Sequence, residues 1–391
     1  MESILLLVSF FLFIIYAGLI LYYRQGWQSI PSFEKNAAFS APTTTRITII
    51  IPARNEAANI GNCLQAICNQ TYPPDLFEVI VVDDHSTDET VSIIHSFAQN
   101  NIRCILLKDF ITDPINSYKK KAIEVAISQS TGDLIVTTDA DCYMGKNWLA
   151  TIAGFYETYK PDFIAAPVSI QCSLRFIEIF QALDFMTLQG ITGAAVHKKL
   201  HSMCNGANLA YSRKVFEEVD GFKGIDNIAS GDDMLLMHKI YGLNPKKVMF
   251  LKSADAIVYT EPVKTLKEFI NQRIRWASKA DKYDDKTILP VLIAVYFFNV
   301  CLLLIPVVTI FNNITCSFLT FNFSLFTCWL YLMLLKTLVE LFFLYPVAQF
   351  FNKQSLLYLF PVMQPFHIVY TIVAGWLGKF GSYKWKERKV K

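Results

Sequence analysis

The chain has 391 residues, 53% of them hydrophobic, with a formal net charge of +3 and a mean hydropathy of +0.33. So small a charge excludes a general nucleic-acid-binding footprint. The apolar excess, gathered towards the two ends, excludes an ordinary soluble protein, and nine scattered cysteines without metal-like pairing read as a reduced, cytosolic middle.

Residues 4–23 form an uncharged apolar run long enough to cross a bilayer. Glu2 is its only early charge and no basic stretch precedes it, so we read residues 1–23 as a retained anchor, with the N-terminus outside and Arg24 inside. Residues 24–45 read as a polar linker. Strands are expected at 46–53, 77–82, 102–107 and 134–138, because these runs are continuous, apolar and rich in β-branched residues. Helices are expected at 55–69, 88–99 and 119–130. This alternation predicts an α/β fold with a mostly parallel sheet covered by helices on both faces, in which ligands bind at the carboxyl ends of the strands.

The pattern changes after Pro167. Residues 174–196 predict a helix, equally suited to the membrane surface and to a core. A turn follows at Asn205-Gly206-Ala207-Asn208, with helices from Arg213 and Asp232. Residues 264–283 alternate basic and apolar side chains and close a domain of 46–285. Lys264, Lys267, Arg273, Arg275, Lys279 and Lys282 suit an anionic membrane surface. Residues 286–378 form a membrane cassette of three apolar segments, at 288–311, 324–347 and 355–378, and from Ile288 to Leu377 the only charges are Lys336, Glu340 and Lys353. Residues 379–391 are a basic tail. Three later spans would put that tail outside, against the positive-inside rule; Pro361, Pro365 and His367 point to a re-entrant last segment that keeps it inside. Asn313 and Asn322 head glycosylation sequons in the loop expected outside.

Three acidic motifs stand at sheet edges. Asp139-Ala140-Asp141 follows a strand, where alternate residues present two carboxylates to one cation; Mg²⁺ or Mn²⁺ takes such hard oxygen ligands together with substrate phosphates. Asp83 and Asp84 end another strand beside Pro52-Ala53-Arg54-Asn55-Glu56, so a nucleoside fits between these loops, while Asp88 suits a helix cap. Lys119, Lys120 and Lys121 open a helix, an unfavourable place for cations that a nearby diphosphate would explain for one of them. Of Asp232 and Asp233, one suits a helix cap and the other a general base. Gln272, Arg275 and Trp276 share a helical face, Arg suiting a phosphate and Trp a sugar ring.

The ordered set VVDDHSTDET, KKKAI, TTDADC, CNGANLAYSR, GDD and QRIRW resembles the inverting family 2 glycosyltransferases of the GT-A fold, over residues 46–280. The resemblance implies that Asp83 contacts the nucleotide base and that Asp139 and Asp141 hold the donor diphosphate through Mg²⁺ or Mn²⁺. It implies that Asp233 is the base, and that Gln272, Arg275 and Trp276 bind the diphosphate and acceptor end. Pro52, Arg54, Glu56, Asp84, Lys119, Asn205, Gly206 and Asp232 complete the expected substrate-binding set. The family's base motif is usually Glu-Asp; here it is Asp232-Asp233, with the aspartate kept. An anchor plus a C-terminal cassette resembles ceramide glucosyltransferase-like enzymes, carotenoid glycosyltransferases and small polysaccharide synthases.

The expected function is therefore transfer of a sugar from a nucleotide-sugar, a UDP-sugar first, to a lipid or lipid-linked glycan acceptor. The enzyme would be integral to the cell or inner membrane, with its catalytic domain cytosolic. A processive polysaccharide synthase is the alternative, though three segments are few for a polymer channel. A non-catalytic scaffold leaves the acidic motifs unexplained, and a nucleotidyltransferase leaves Gln272, Arg275 and Trp276 unexplained.

Overall fold

A computed structural model describes residues 2–34, 44–98, 101–200, 203–228, 231–278, 288–315, 323–380, 383–385 and 388–390, without the side chains of 312–324 and 383–390. The linker at 35–43, the basic stretch at 279–285, Asn322 and the side chain of Asn313 lie outside the described residues.

In chain order the elements are α1 Glu2–Ser29, β1 Ile47–Ala53, α2 Ile60–Cys68, β2 Phe77–Asp83, α3 Thr90–Ser96, β3 Ile102–Leu106, α4 Tyr118–Ser128, β4 Leu134–Thr137, β5 Cys142–Met144, α5 Trp148–Tyr159, β6 Phe163–Ala165, β7 Val168–Ile170, α6 Phe176–Lys198, β8 Leu209–Ser212, α7 Arg213–Glu218, α8 Met234–Leu243, β9 Val248–Phe250, β10 Val258–Thr260, α9 Leu266–Ala277, α10 Ile288–Thr315, α11 Phe323–Phe350, α12 Phe360–Phe380, β11 Tyr383–Trp385 and β12 Arg388–Val390. They form two compact units. One comprises residues 30–172 and 195–262; the other comprises 1–29, 173–194 and 263–391. The polar stretch expected as one domain at 46–285 is thus shared between them.

The first unit is built on a seven-stranded sheet of order β3-β2-β1-β4-β8-β6-β9. β3, β2, β1 and β4 run parallel, as expected from the strand–helix alternation. β8 is antiparallel to both β4 and β6. Its reversal matters, because Leu209, the first residue of β8, pairs with Thr137, the last of β4. The loop leading into β8 therefore enters the same edge that the parallel strands leave. Ile49, Ile50, Ile51, Val79 to Val82 and Leu134 to Val136 are buried, as strands covered on both faces require. A smaller sheet, β5-β10-β7, stands beside it.

The helices of this unit are shorter than their sequence patterns. α2 starts at Ile60 because Asn55 has φ +50 and its side chain accepts the Thr87 backbone N–H at 2.8 Å. α3 starts at Thr90, whose backbone N–H and hydroxyl both donate to Asp88. Asp88 thus binds the first turn from outside.

The second unit gathers the apolar helices. Among the described residues four stretches are long and apolar enough to cross a membrane: Glu2–Ser29, Ile288–Phe311, Leu325–Phe350 and Gln354–Phe380. α1 runs on through residues expected as linker, because Tyr23 and Trp27 continue its buried face and Trp27 meets the Phe350 ring edge-on. α12 is continuous through Pro365, where a re-entrant break was expected. Pro361 lies in its first turn, a position that needs no backbone N–H. α6 has its central residues buried, so of the two readings of 174–196 the core helix describes it better, but its part up to Ala194 belongs to the apolar unit.

Two charges buried among these helices, Lys336 and Glu340, are paired. Lys336 of α11 donates to Glu340 at 2.7 Å and to Gln364 of α12 at 2.6 Å. Gln364 and Tyr16 of α1 both donate to Glu340, so a polar ring of Lys336, Glu340 and Gln364 ties α11 to α12, and Tyr16 joins α1 to it. Removing one partner strands the other charge in an apolar interior. Lys336→Met should cost about 3–5 kcal/mol, whereas Lys336→Met with Glu340→Met should recover most of that loss. Thermal unfolding of the detergent-purified chain checks this, and equal losses in the single and double variants would contradict it.

Candidate active site

Three loops of the first unit meet at the carboxyl edge of its sheet. β1 lies between β2 and β4, so the segments after β2 and β4 flank the end of β1. Asp83 ends β2 and pairs in register with Ala53; the Asp84 N–H donates to the Ala53 carbonyl at 2.8 Å. Asp139 follows β4 by two residues, and the Asn205–Asn208 turn leads into β8 at the same edge.

Lys119 is the centre of this edge. Its ammonium lies 2.8 Å from Asp139 Oδ1 and 3.1 Å from Asp232 Oδ2. Burial opposes the charge, but Asp139 and Asp232 outweigh it, with Asp233 adding to them, and hold the Lys119 pKa well above its ordinary value. The three lysines that open α4 therefore have three fates. Lys120 is buried and donates to the carbonyls of Ile225 and Ile228 at 2.6 and 2.7 Å. Lys121 pairs with Glu124 one turn on.

Gly206 makes this convergence possible. Its N–H donates to Asp233 Oδ2 at 3.2 Å, and a Cβ there would meet the Lys119 ammonium at 3.2 Å and Asp232 Oδ2 at 3.4 Å. Asp233 is the N-cap of α8, its Oδ1 accepting the Met234 N–H at 2.8 Å. Each of its oxygens thus holds one backbone N–H, which fixes the carboxylate plane; a carboxylate oxygen with one such bond keeps acceptor capacity.

On the other side, Asp83 accepts the Ser86 N–H at 3.2 Å. Asp84 is engaged by the protein itself: Arg54 donates to its carbonyl at 2.9 Å and stands 3.6 Å from its carboxylate, and His85 Nδ1 lies 3.0 Å from the same oxygen. Glu56 accepts from the Asn59 amide at 3.2 Å, Asn205 closes its own turn on the Ala207 N–H at 2.9 Å, and Pro52 is half-buried within β1.

Asp139 and Asp141 lie close to the buried Cys63 thiol. Burial first, then Asp141 and Asp139, push the Cys63 pKa up; the same causes raise that of Cys142. Among the described residues no group of three or more His, Cys, Asp or Glu side chains forms a cation cage. Two carboxylates on one loop, the Asp139 side chain 37% exposed, are instead the kind of partial oxygen set that Mg²⁺ or Mn²⁺ completes with substrate phosphates.

Residues 48–220 match the family described as Glycosyl transferase family 2. The chain carries a family 2 glycosyltransferase domain. It is 27% identical over 261 residues to the probable glycosyltransferase YdaM of Bacillus subtilis, covering 66% of this chain and 59% of that protein. It is 29% identical over 238 residues to the β-monoglucosyldiacylglycerol synthase of Synechocystis, covering 59% of this chain and 47% of that protein. The chain thus spans less than two thirds of the length of these curated relatives. A solved structure of the mannosyltransferase PcManGT from Pyrobaculum calidifontis, in complex with GDP-Man and Mn²⁺, aligns with TM-score 0.57 and 21% identity over 93% of this chain and 99% of that one. The likeness shows the GT-A-like fold.

Within the first unit the structure brings together Lys119, Asp139, Gly206, Asp232 and Asp233, and carries Asp83 and Asp84 at the end of β2, with β1 between. Gln272, Arg275 and Trp276 lie on α9, in the other unit, each half-buried. The sequence reading missed Asn208, which receives the Trp148 indole N–H at 3.0 Å and donates to the carbonyls of Pro167 and Ala256 at 2.8 Å, pinning the strand end below Gly206. It also placed Arg273 among surface cations. Arg273 is buried, 2.7 Å from Asp184, because α6 supplies a buried carboxylate opposite it.

Lys119→Met removes the ammonium that separates two carboxylates. The two carboxylates then repel each other wherever both are ionised, and acid relieves that repulsion, so the variant's stability falls as pH rises. The variant should therefore be closest to wild type in acid and weakest at neutral and higher pH. Wild-type Lys119, its pKa raised, keeps its contribution until pH passes roughly 10.4. Unfolding midpoints across pH check this; a loss independent of pH would contradict it.

Proposed function

We propose that the protein is a membrane-integral inverting glycosyltransferase that moves one sugar from a nucleotide-sugar to the hydroxyl of a lipid or lipid-linked acceptor. The observation that carries this reading is the convergence of Asp139, Asp232 and Asp233 around Lys119 and Gly206, one strand from Asp83. Such an edge binds a nucleoside diphosphate at one end and leaves a carboxylate for proton transfer at the other. The lipid acceptor rests on the four apolar helices and on the lipid product named for the Synechocystis relative.

In this reading the nucleoside lies against Asp83, whose carboxylate is already oriented by Ser86. Asp139 and Asp141 would hold Mn²⁺ or Mg²⁺, which would supply positive charge to the leaving diphosphate. Lys119 supports the same charge from the protein side. The acceptor oxygen forms its bond to the anomeric carbon on the face opposite the diphosphate. The bond to the phosphate oxygen breaks, the acceptor proton passes to Asp233, and the nucleoside diphosphate leaves with the bonding pair. Asp233 suits the base better than Asp232, whose carboxylate is committed to Lys119 at 3.1 Å. Gln272, Arg275 and Trp276 serve the diphosphate and the acceptor.

Membranes holding the full chain, given UDP- and GDP-sugars and the extracted lipids, should yield a lipid heavier by one sugar residue by mass. Asp233→Asn should lower kcat by roughly 10²–10⁴-fold with nucleotide affinity nearly unchanged. Wild-type turnover in Asp233→Asn together with collapse in Asp232→Asn would move the base to Asp232. A ladder of masses would favour the processive alternative.

A further inference from the structure

The middle of the QRIRW segment carries a residue that the proposed function does not use. α9 begins with a reciprocal cap, in which Thr265 accepts the Glu268 N–H at 3.2 Å and Glu268 accepts the Thr265 N–H at 3.1 Å. The helix therefore starts at a fixed residue, and Arg273 points inward while Gln272, Arg275 and Trp276 remain half-buried. The Arg273 and Asp184 side chains are each 4% exposed, 2.7 Å apart. Tyr370 of α12 donates its hydroxyl to Asp184. Two rings flank the Arg273 guanidinium, Phe269 at 4.6 Å and Trp276 at 4.1 Å. Phe185, next to Asp184 on α6, lies 6.0 Å from the Trp276 ring.

We infer that Asp184 is a positioning residue for Trp276. The carboxylate of α6 fixes the guanidinium of Arg273, and the guanidinium fixes the plane of the indole one turn further along α9. Two features argue for orientation as well as stability. A guanidinium held 4.1 Å from the centroid of an indole restricts the ring's freedom to tilt, and the hydroxyl of Tyr370 anchors the same carboxylate from a third helix. The consequence for catalysis rests on the reading of Trp276 as an acceptor contact; the positioning itself does not.

The test uses the full chain in detergent, with its six tryptophans replaced by 5-fluorotryptophan. The fluorine signal of Trp276 is assigned by its loss in Trp276→Phe. Asp184→Asn should move that signal and leave the others in place, Asp184→Glu should restore it in part, and Tyr370→Phe, which leaves the ion pair intact, should move it less. In parallel, Asp184→Asn should raise acceptor KM about tenfold or more, the order expected for one lost charge-assisted contact, with donor KM nearly constant. A Trp276 signal that stays put, or that shifts together with those of Trp329 and Trp376, would overturn the inference. A shifted signal with unchanged acceptor KM would uphold the positioning and sink the acceptor reading of Trp276. Should Asp184→Asn fail to fold, Tyr370→Phe and Asp184→Glu decide the matter by the same signal.

Discussion

Carboxylates brought to one sheet edge repel one another unless a cation separates them, and in this protein that cation is Lys119. Asp139 comes from the loop after β4, Asp232 from the turn before α8, and both rest on one ammonium at hydrogen-bond distance. Glycine at 206 leaves room for it. The protein's own side chains thereby hold the edge together. A side chain fixed in advance loses little freedom when a diphosphate binds, which is how preorganised sites gain their electrostatic effect.

The sheet order explains why these loops meet. With β1 between β2 and β4, the residues after the two outer strands fall on either side of it, and the antiparallel β8 returns the chain to the same edge. Asn208 then spends its side chain on two carbonyls and an indole. The acidic strand ends and the turn carrying Gly206 are thus parts of one hydrogen-bonded frame.

Much of this frame was legible in the sequence. Continuous β-branched runs marked β1, β2 and β4, and the carboxyl ends of the last two pointed to Asp83 and Asp139. Other features rest on contacts that no local pattern records. The fate of Asp233 depends on the Gly206 N–H, which comes from a distant turn. Arg273 looked like one cation among many because its partner, Asp184, lies on another helix. The pairing of Lys336 with Glu340 obeys a spacing that sequence can show, but Gln364, which completes the ring, and Tyr16, which joins it, are found only in three dimensions. α1 outran its apolar run because Trp27 had a ring to pack against, a reason that composition does not contain.

If the acidic edge is a donor-diphosphate site, its protein ligands form only part of a cation's shell. The direct measurement is the affinity of the purified full chain for Mn²⁺, tracked by the electron paramagnetic resonance of the free ion, with and without UDP or GDP. Because Asp139 is already compensated by Lys119 and phosphate oxygens complete the shell, Mn²⁺ alone should bind weakly and a nucleoside diphosphate should tighten it about tenfold or more. Tight binding of Mn²⁺ that neither nucleotide changes would contradict the claim.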